Sequence, residues 1–309
     1  MPNWFILSLV APTLWGVVNH IDKHILSRYQ EGRGVGAILI FSSLSSFIIL
    51  PFIVYFHFSA IFNISLNNFF VLSFIGFLGA MAFYFYLKAM DIEEASTVIP
   101  LFQLDPIFGY ILGYFLLGES LNVPQIFSSL LILLGILMLS VEIDINNKFT
   151  LKKKVLSLII SASFLFAVSG VLFKKLALEN GYWVSIFWQY VGLTIFGIVV
   201  LIFYKKFRQN FIAMITAPKL NVLSLNVVSE LLYIVGGLAN NFAILIAPVA
   251  LVFVVNSYQS LFVFLSAVLL TIFFPKFISE KISKKHLFHK IISIGTILIG
   301  SYFLYSTSH

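Results

Sequence analysis

Residues 94–118 read EASTVIPLFQLDPIFGYILGYFLLG, an apolar stretch long enough to cross a bilayer, with an aspartate, Asp105, near its middle and Pro100 and Pro106 around it. A carboxylate at mid-membrane costs roughly 2.5 to 3.5 kcal/mol on insertion scales, so it faces protein or a water-filled cavity rather than lipid. The stretch reads as a long membrane helix built around a functional group. The rest of the chain reads as its frame.

That frame is a membrane one. Of 309 residues, 60% are hydrophobic and only 10% are charged, well below the roughly 25% charged residues of a soluble domain. The 35 Phe, 13 Tyr and 4 Trp fall largely near the ends of apolar runs, where amphipathic rings settle at the headgroup level. Cysteine is absent, so disulfides and thiolate metal sites are out of reach. The net charge of +7 would suggest nucleic acid in a soluble protein; here it sits in short loops and reads as membrane topology, with no nucleic-acid partner and no cofactor expected. The first apolar run begins at Trp4 with no basic region before it, which argues against a cleavable signal peptide.

Ten apolar runs of about 20 residues can be drawn, at 4–21, 35–56, 69–87, 95–117, 125–141, 155–173, 184–204, 222–245, 249–274 and 287–305. Period-2 alternation is missing, so helices are the only spanning structure left. The connections EGRGVG (31–36), FNISLNN (62–68), NNKFTLKKK (146–154) and 274–285 carry the Gly, Asn, Pro and Lys that apolar helices exclude, and read as short loops. Division at the basic loop around Lys148 gives five runs in 1–145 and five in 146–309. A shift of 154 places Asp105-Pro106 on Gln259-Ser260 and Tyr86 on Asn240, and a shift of 152 places Asp22-Lys23 on Lys174-Lys175. Five spans per half is an odd number, so the second half enters the membrane upside down. The expected fold is therefore an all-α integral membrane protein of ten transmembrane helices, arranged as two inverted five-helix repeats around a central cavity. In such folds the substrate site lies near the midplane, between the halves.

Seventeen of the 19 Lys and Arg fall in the loops after runs one, three, five, seven and nine; the other two are Lys174 and Lys175. The positive-inside rule places those five loops in the cytoplasm and both termini outside, in a multi-pass protein of the bacterial inner-membrane kind.

Leu14-Trp15-Gly16, the stretch from Gly79 ending in LKAM at Met90, ASTVIPLFQLDPIFGYILGYFLLGE (95–119) and LLILLGILML (130–139) together resemble the EamA-type transporters of the drug/metabolite transporter superfamily. The resemblance covers nearly the whole chain and is strongest over 75–140. It implies a ten-helix transporter with a cavity lined mainly by the first four helices of each half, and members mostly export amino acids or small metabolites. The family's usual Glu-Pro pair in the fourth helix stands here as Asp105-Pro106, and its partner in run nine is Gln259-Ser260, without the proline.

Helical spacing selects the polar groups that would share the cavity. Glu230, Tyr233, Gly237 and Asn240 or Asn241 recur at steps of three and four along one face of run eight. Run nine offers Asn256, Tyr258 and Gln259, run one offers Trp15 and Asn19, and run three offers Tyr84. In run four Gln103 and Asp105 cannot both point straight inward on one regular helix, and Asp105 is the better choice. Gly109 and Gly113 give a GxxxG spacing that admits a neighbouring helix. His20, Asp22, Lys23 and His24 read as the end of the first helix, leaving no second deep aspartate beside Asp105.

Any one buried amide or phenol is more simply interhelical glue, worth about 0.6 kcal/mol. A charged group is harder to explain in that way. With no P-loop and no HExxH, and no base placed beside a serine, the sequence does not read as an enzyme. It reads as a secondary transporter, an exporter of a small organic solute such as an amino acid or amine, with Asp105 holding a substrate ammonium or a coupling proton. The alternative is a subunit of a flippase for lipid or lipid-linked sugar. A homodimer is left open.

Overall fold

A backbone surrounded by lipid has to bond to itself, and in the computed structural model each of the ten apolar runs is helical over its described part. The structure describes residues 4–27, 33–93, 98–140, 153–216, 220–273 and 284–307. Residues 94–97 of the opening stretch, and most of the basic loops at 146–154 and 274–285, lie outside these.

The helices are α1 (Trp4–Ser27), α2 (Arg33–Ser45), α3 (Leu50–Ile61), α4 (Leu66–Ile92), α5 (Asp105–Leu117), α6 (Val123–Ser140), α7 (Lys153–Asn180), α8 (Tyr182–Phe203), α9 (Lys205–Thr216), α10 (Leu220–Ile246), α11 (Val249–Asn256), α12 (Gln259–Phe273) and α13 (Lys284–Thr307), with 3-10 turns at Ser46–Ile48 and Ile99–Leu104. Among the described residues, eight helical stretches are individually long and apolar enough to cross a bilayer. The pair 34–48 and 50–61 makes a ninth across a 47° bend, and Val123–Leu139 is a shorter apolar helix. Large apolar side chains such as Phe52, Phe58, Phe70 and Phe115 are exposed on the outside, a surface that only lipid can cover.

Local signals set several boundaries. The Ser65 hydroxyl accepts from the Asn68 N–H at 3.2 Å and caps α4. Asn122 and Gln125 cap each other's backbone N–H at 2.8 and 3.0 Å, opening α6. At the end of α5, Gly118 takes a left-handed turn with φ 68°, and Glu119 N–H reaches back to Gly113 O at 3.1 Å.

Two expectations change. Over its described part the opening stretch is not a regular α-helix: it winds as 3-10 over Ile99–Leu104 and as α-helix over Asp105–Leu117, because Pro106 cannot donate into the ladder before it. The stretch after run seven, taken for a loop, holds α9, whose Phe207, Phe211 and Met214 turn toward the protein while Lys205 and Lys206 stay exposed. Such a helix suits the membrane interface.

α1 packs on α10, as α4 packs on α7; α1 also packs on α11 and α12, as α7 packs on α5 and the 3-10 turn before it. α2 pairs with α8, α5 with α11, and α6 with α13. Exchanging the elements before residue 141 with those after 153 leaves this set of neighbours unchanged. The contact of α4 with α8 breaks the pattern, since its counterpart between α2 and α10 is slight and α9 packs on α2 instead.

At the α4–α8 crossing the backbones touch. A Cβ on Gly192 would lie 1.8 Å from Ser73 O, and one on Gly76 would lie 2.0 Å from Gln189 O. Neither carbonyl can move without breaking its helix. Gly192→Ala is therefore expected to destabilise the protein by about 1–3 kcal/mol, whereas Gly79→Ala, inside a helix with nothing within 4 Å of the added carbon, is expected to stabilise it by up to about 1 kcal/mol. Thermal unfolding of the two purified variants checks this.

Candidate functional site

Two helices break at matching places. α5 starts at Asp105 after its 3-10 turn, and α12 starts at Gln259 after the two-residue turn Ser257–Tyr258 that ends α11. The shift of 154 that aligns Asp105 with Gln259 also lays α4 (Leu66–Ile92) on α10 (Leu220–Ile246), end for end.

A cavity of about 200 Å³ lies between the breaks, lined from α1, α2, α4, the first 3-10 turn of the α5 segment, α7, α8, α10, α11 and α12. Its wall includes six rings in successive contact. Trp15 and Tyr233 have centroids 6.0 Å apart, Tyr233 and Phe83 5.7 Å, Phe83 and Tyr86 5.6 Å, Tyr86 and Phe102 6.1 Å, and Phe102 and Phe166 6.1 Å.

Of the residues expected at the site, Trp15, Asn19, Gln103, Asp105, Tyr233, Asn240, Asn256 and Gln259 line this cavity. Gln103 and Asp105 both reach it, contrary to expectation. The 3-10 winding before Asp105 leaves residues two apart only about 120° from one another around the axis, against about 160° on an α-helix. Tyr84 does not line it: its ring packs on Phe207 at the start of α9, 6.2 Å between centroids. Tyr258 turns away as well, bonding to the Ser301 hydroxyl of α13. Glu230 stands behind the wall, 5% exposed, and accepts from the cavity-lining Ser42 hydroxyl at 2.9 Å.

The sequence reading missed Asp22. α1 runs on to Ser27, so Asp22 is not at a helix end but inside the bundle, 2% exposed, and it lines the cavity. It is the second deep aspartate that the hydropathy pattern hid. Gln259 Nε2 donates to Asn19 Oδ1 at 2.7 Å, Asn19 Nδ2 to the Tyr86 hydroxyl at 2.7 Å, and that hydroxyl to Asp22 Oδ2 at 3.4 Å. Ser229 Oγ donates to the other Asp22 oxygen at 3.3 Å. Nearby, Asn241 Nδ2 donates to Gln189 Oε1 and Asn256 Nδ2 to Asn240 Oδ1, at 2.9 and 2.8 Å.

Other polar atoms on the same wall have no such partner. Gln103 Nε2 and Oε1, Asp105 Oδ1, Ser43 Oγ, Asn256 Oδ1 and Ser260 Oγ are buried without a hydrogen bond. The Ser163 hydroxyl faces Asp105 but does not reach bonding geometry.

Lysines secure the ends of two helices in the bundle. Lys174 Nζ lies 2.6 Å from Glu119 Oε1 and donates to Ala247 O at 2.7 Å, while Glu119 Oε2 accepts the Val249 N–H at 2.8 Å. One ion pair thus joins α5, α7, α10 and α11. Gly113 makes room for it, because a Cβ there would meet Glu119 Oε2 at 3.0 Å; only Gly109 serves a neighbouring helix, facing Phe253 of α11 at 2.7 Å. Lys23 Nζ donates to Met90 O and Glu93 O, at 3.1 and 3.0 Å, at the end of α4.

A bundle of apolar, span-length helices around a cavity with unpartnered polar groups is the architecture of a multi-pass membrane protein. Residues 2–141, a little under half of the chain, match the EamA-like transporter family, which is part of the drug/metabolite transporter superfamily. A solved crystal structure of another protein follows the same course with a TM-score of 0.66 at 15% identity, over 97% of this chain and 94% of that one. At that identity the likeness speaks to the fold alone. A search of curated protein sequences found no match.

Gln103 offers a direct test of the site. It is 7% exposed with both side-chain polar atoms unpartnered, a desolvation cost of about 1–3 kcal/mol that an apolar side chain of similar shape would not carry. Gln103→Met is expected to raise the Tm of the ligand-free protein and to weaken solute binding, both read in one thermal-unfolding titration.

Proposed function

We propose that the chain is a secondary carrier that exports a small organic metabolite, such as an amino acid or amine, by alternating access between two inverted five-helix halves, 1–145 and 146–309. The observation that carries this reading is the convergence of six buried, unpartnered polar atoms on one cavity at the paired helix breaks. A polar atom in lipid without a partner costs several kcal/mol, and a solute relieves that cost. The neighbour set that survives exchange of the halves supports the inverted repeat. Asp105 is the charged contact and the carrier of any coupling proton; Gln103, Trp15, Asn19, Tyr233, Asn256 and Gln259 complete the site. A lipid-linked sugar would need a groove far larger than about 200 Å³.

Screening purified protein for solutes that raise Tm, followed by uptake of the hits into proteoliposomes, tests the reading. Asp105→Asn keeps the shape of the site and removes the charge. It is expected to remain in the membrane and to lose transport roughly 10- to 100-fold, the worth of a charge-assisted hydrogen bond. Wild-type rates in that variant would remove the role given to Asp105.

The basic loops belong in the cytoplasm and both termini outside, from the placement of the 19 Lys and Arg. A reporter active only in the cytoplasm, fused after His309, is expected to stay silent; activity would reverse the orientation.

A further inference from the structure

The chemistry of the cavity narrows the solute further, a step that rests on the carrier reading above. Among the described residues, every ionisable side chain on the wall is acidic or phenolic: Asp22, Asp105, Tyr86, Tyr190 and Tyr233, with no Lys, Arg or His. Glu230 sits directly behind Ser42 and adds a further acidic group there. The two lysines described above are committed to helix ends, Lys174 on Glu119 and Ala247 O and Lys23 on Met90 O and Glu93 O.

An amino acid brings a carboxylate as well as an ammonium. Buried against this wall, the carboxylate would meet acidic groups and no cation, which leaves it uncompensated in a medium that penalises it heavily. The other home for a carboxylate in a broken-helix carrier is the first turn of a half-helix, and here both first turns are short of donors. α5 begins with Asp105 itself, followed by Pro106, which has no N–H to give. At α12, Ser260 N–H already donates to Ser257 O and Phe262 N–H to Tyr258 O.

The remaining features suit a cation with an apolar body. Six contiguous rings, from Trp15 through Tyr233 and Phe83 to Phe166, line the cavity, and aromatic rings attract an ammonium and accept an apolar body. Gln103, more than nine-tenths buried with its amide unpartnered, gives a second polar handle. The volume of about 200 Å³ slightly exceeds the roughly 150 Å³ that holds benzene, which fits one ring with a short tail.

We infer that the solute is a single-ring arylalkyl amine, held with its ammonium at Asp105 and its ring within the aromatic wall, and that the corresponding amino acids are refused. Phenethylamine, phenylalanine and phenylacetate share a ring and differ in charge. Each is titrated against the full-length protein in nanodiscs, followed by thermal unfolding, and then offered to proteoliposomes. The amine is expected to bind at least about tenfold more tightly than phenylalanine, and phenylacetate not at all; Asp105→Asn is expected to erase at least about tenfold of the amine's affinity. Equal or tighter binding of phenylalanine or phenylacetate overturns the inference, and if that compound is also transported the carrier reading stands. Failure of all three to bind overturns the inference as well, and the broader solute screen then decides the carrier reading separately. These comparisons use the wild-type protein, so they hold even if the variant does not fold.

Discussion

Inside a bilayer a polar atom has three recourses: another protein group, a trapped water or a solute. This constraint orders the whole bundle. Where the two halves supply matching groups, the atoms are spent on one another, as in the chain from Gln259 through Asn19 and Tyr86 to Asp22. Where they do not, the wall keeps open valences. The lysine ties set the register between the halves and pair Lys23 with Lys174, one residue off the shift of 152 that had laid Lys23 on Lys175: four residues before Lys23 stands Asn19, whereas four residues before Lys174 stands Gly170, which lines the cavity with no side chain to offer. Gln259 therefore has a partner on α1, and Asp105, its counterpart, has none on its buried oxygen.

The same rule explains why two lysines are tolerated so far into apolar helices. Each meets the carbonyls at the end of the fourth helix of its own half, Lys23 at α4 and Lys174 at α10, where the helix dipole favours a cation. Lys174 adds the Glu119 ion pair, with side chains only 11% and 15% exposed. Severing a pair that dry costs about 3–5 kcal/mol, which makes it one of the firmer joints between the halves.

Much of this was legible from composition and periodicity. The apolar runs, the oddity of Asp105 and its register with Gln259 all follow from counting, because burial of charge and helical period leave direct marks in a sequence. Asp22 did not show, since Lys23 and His24 beside it mimic a helix end, and only the tertiary partners Tyr86 and Ser229 hold it inside. Gln103 was ranked below Asp105 because its phase was judged on a regular α-helix, and the 3-10 winding over Ile99–Leu104 changes that phase. Tyr84 and Tyr258 were credited by proximity alone, and each belongs to a packing contact with a peripheral helix. α9 was hidden by its polar face, which reads as loop when hydropathy is averaged over a span-length window.

The crossing of α4 and α8 has a mechanical meaning. Gly76 and Gly192 bring main chain against main chain, and a joint without side chains has no rotamers to rearrange and no slack to take up. Sliding one helix along the other would drive a carbonyl into the opposing backbone. The crossing thus pins the spacing and register of these two helices on one flank of the chamber.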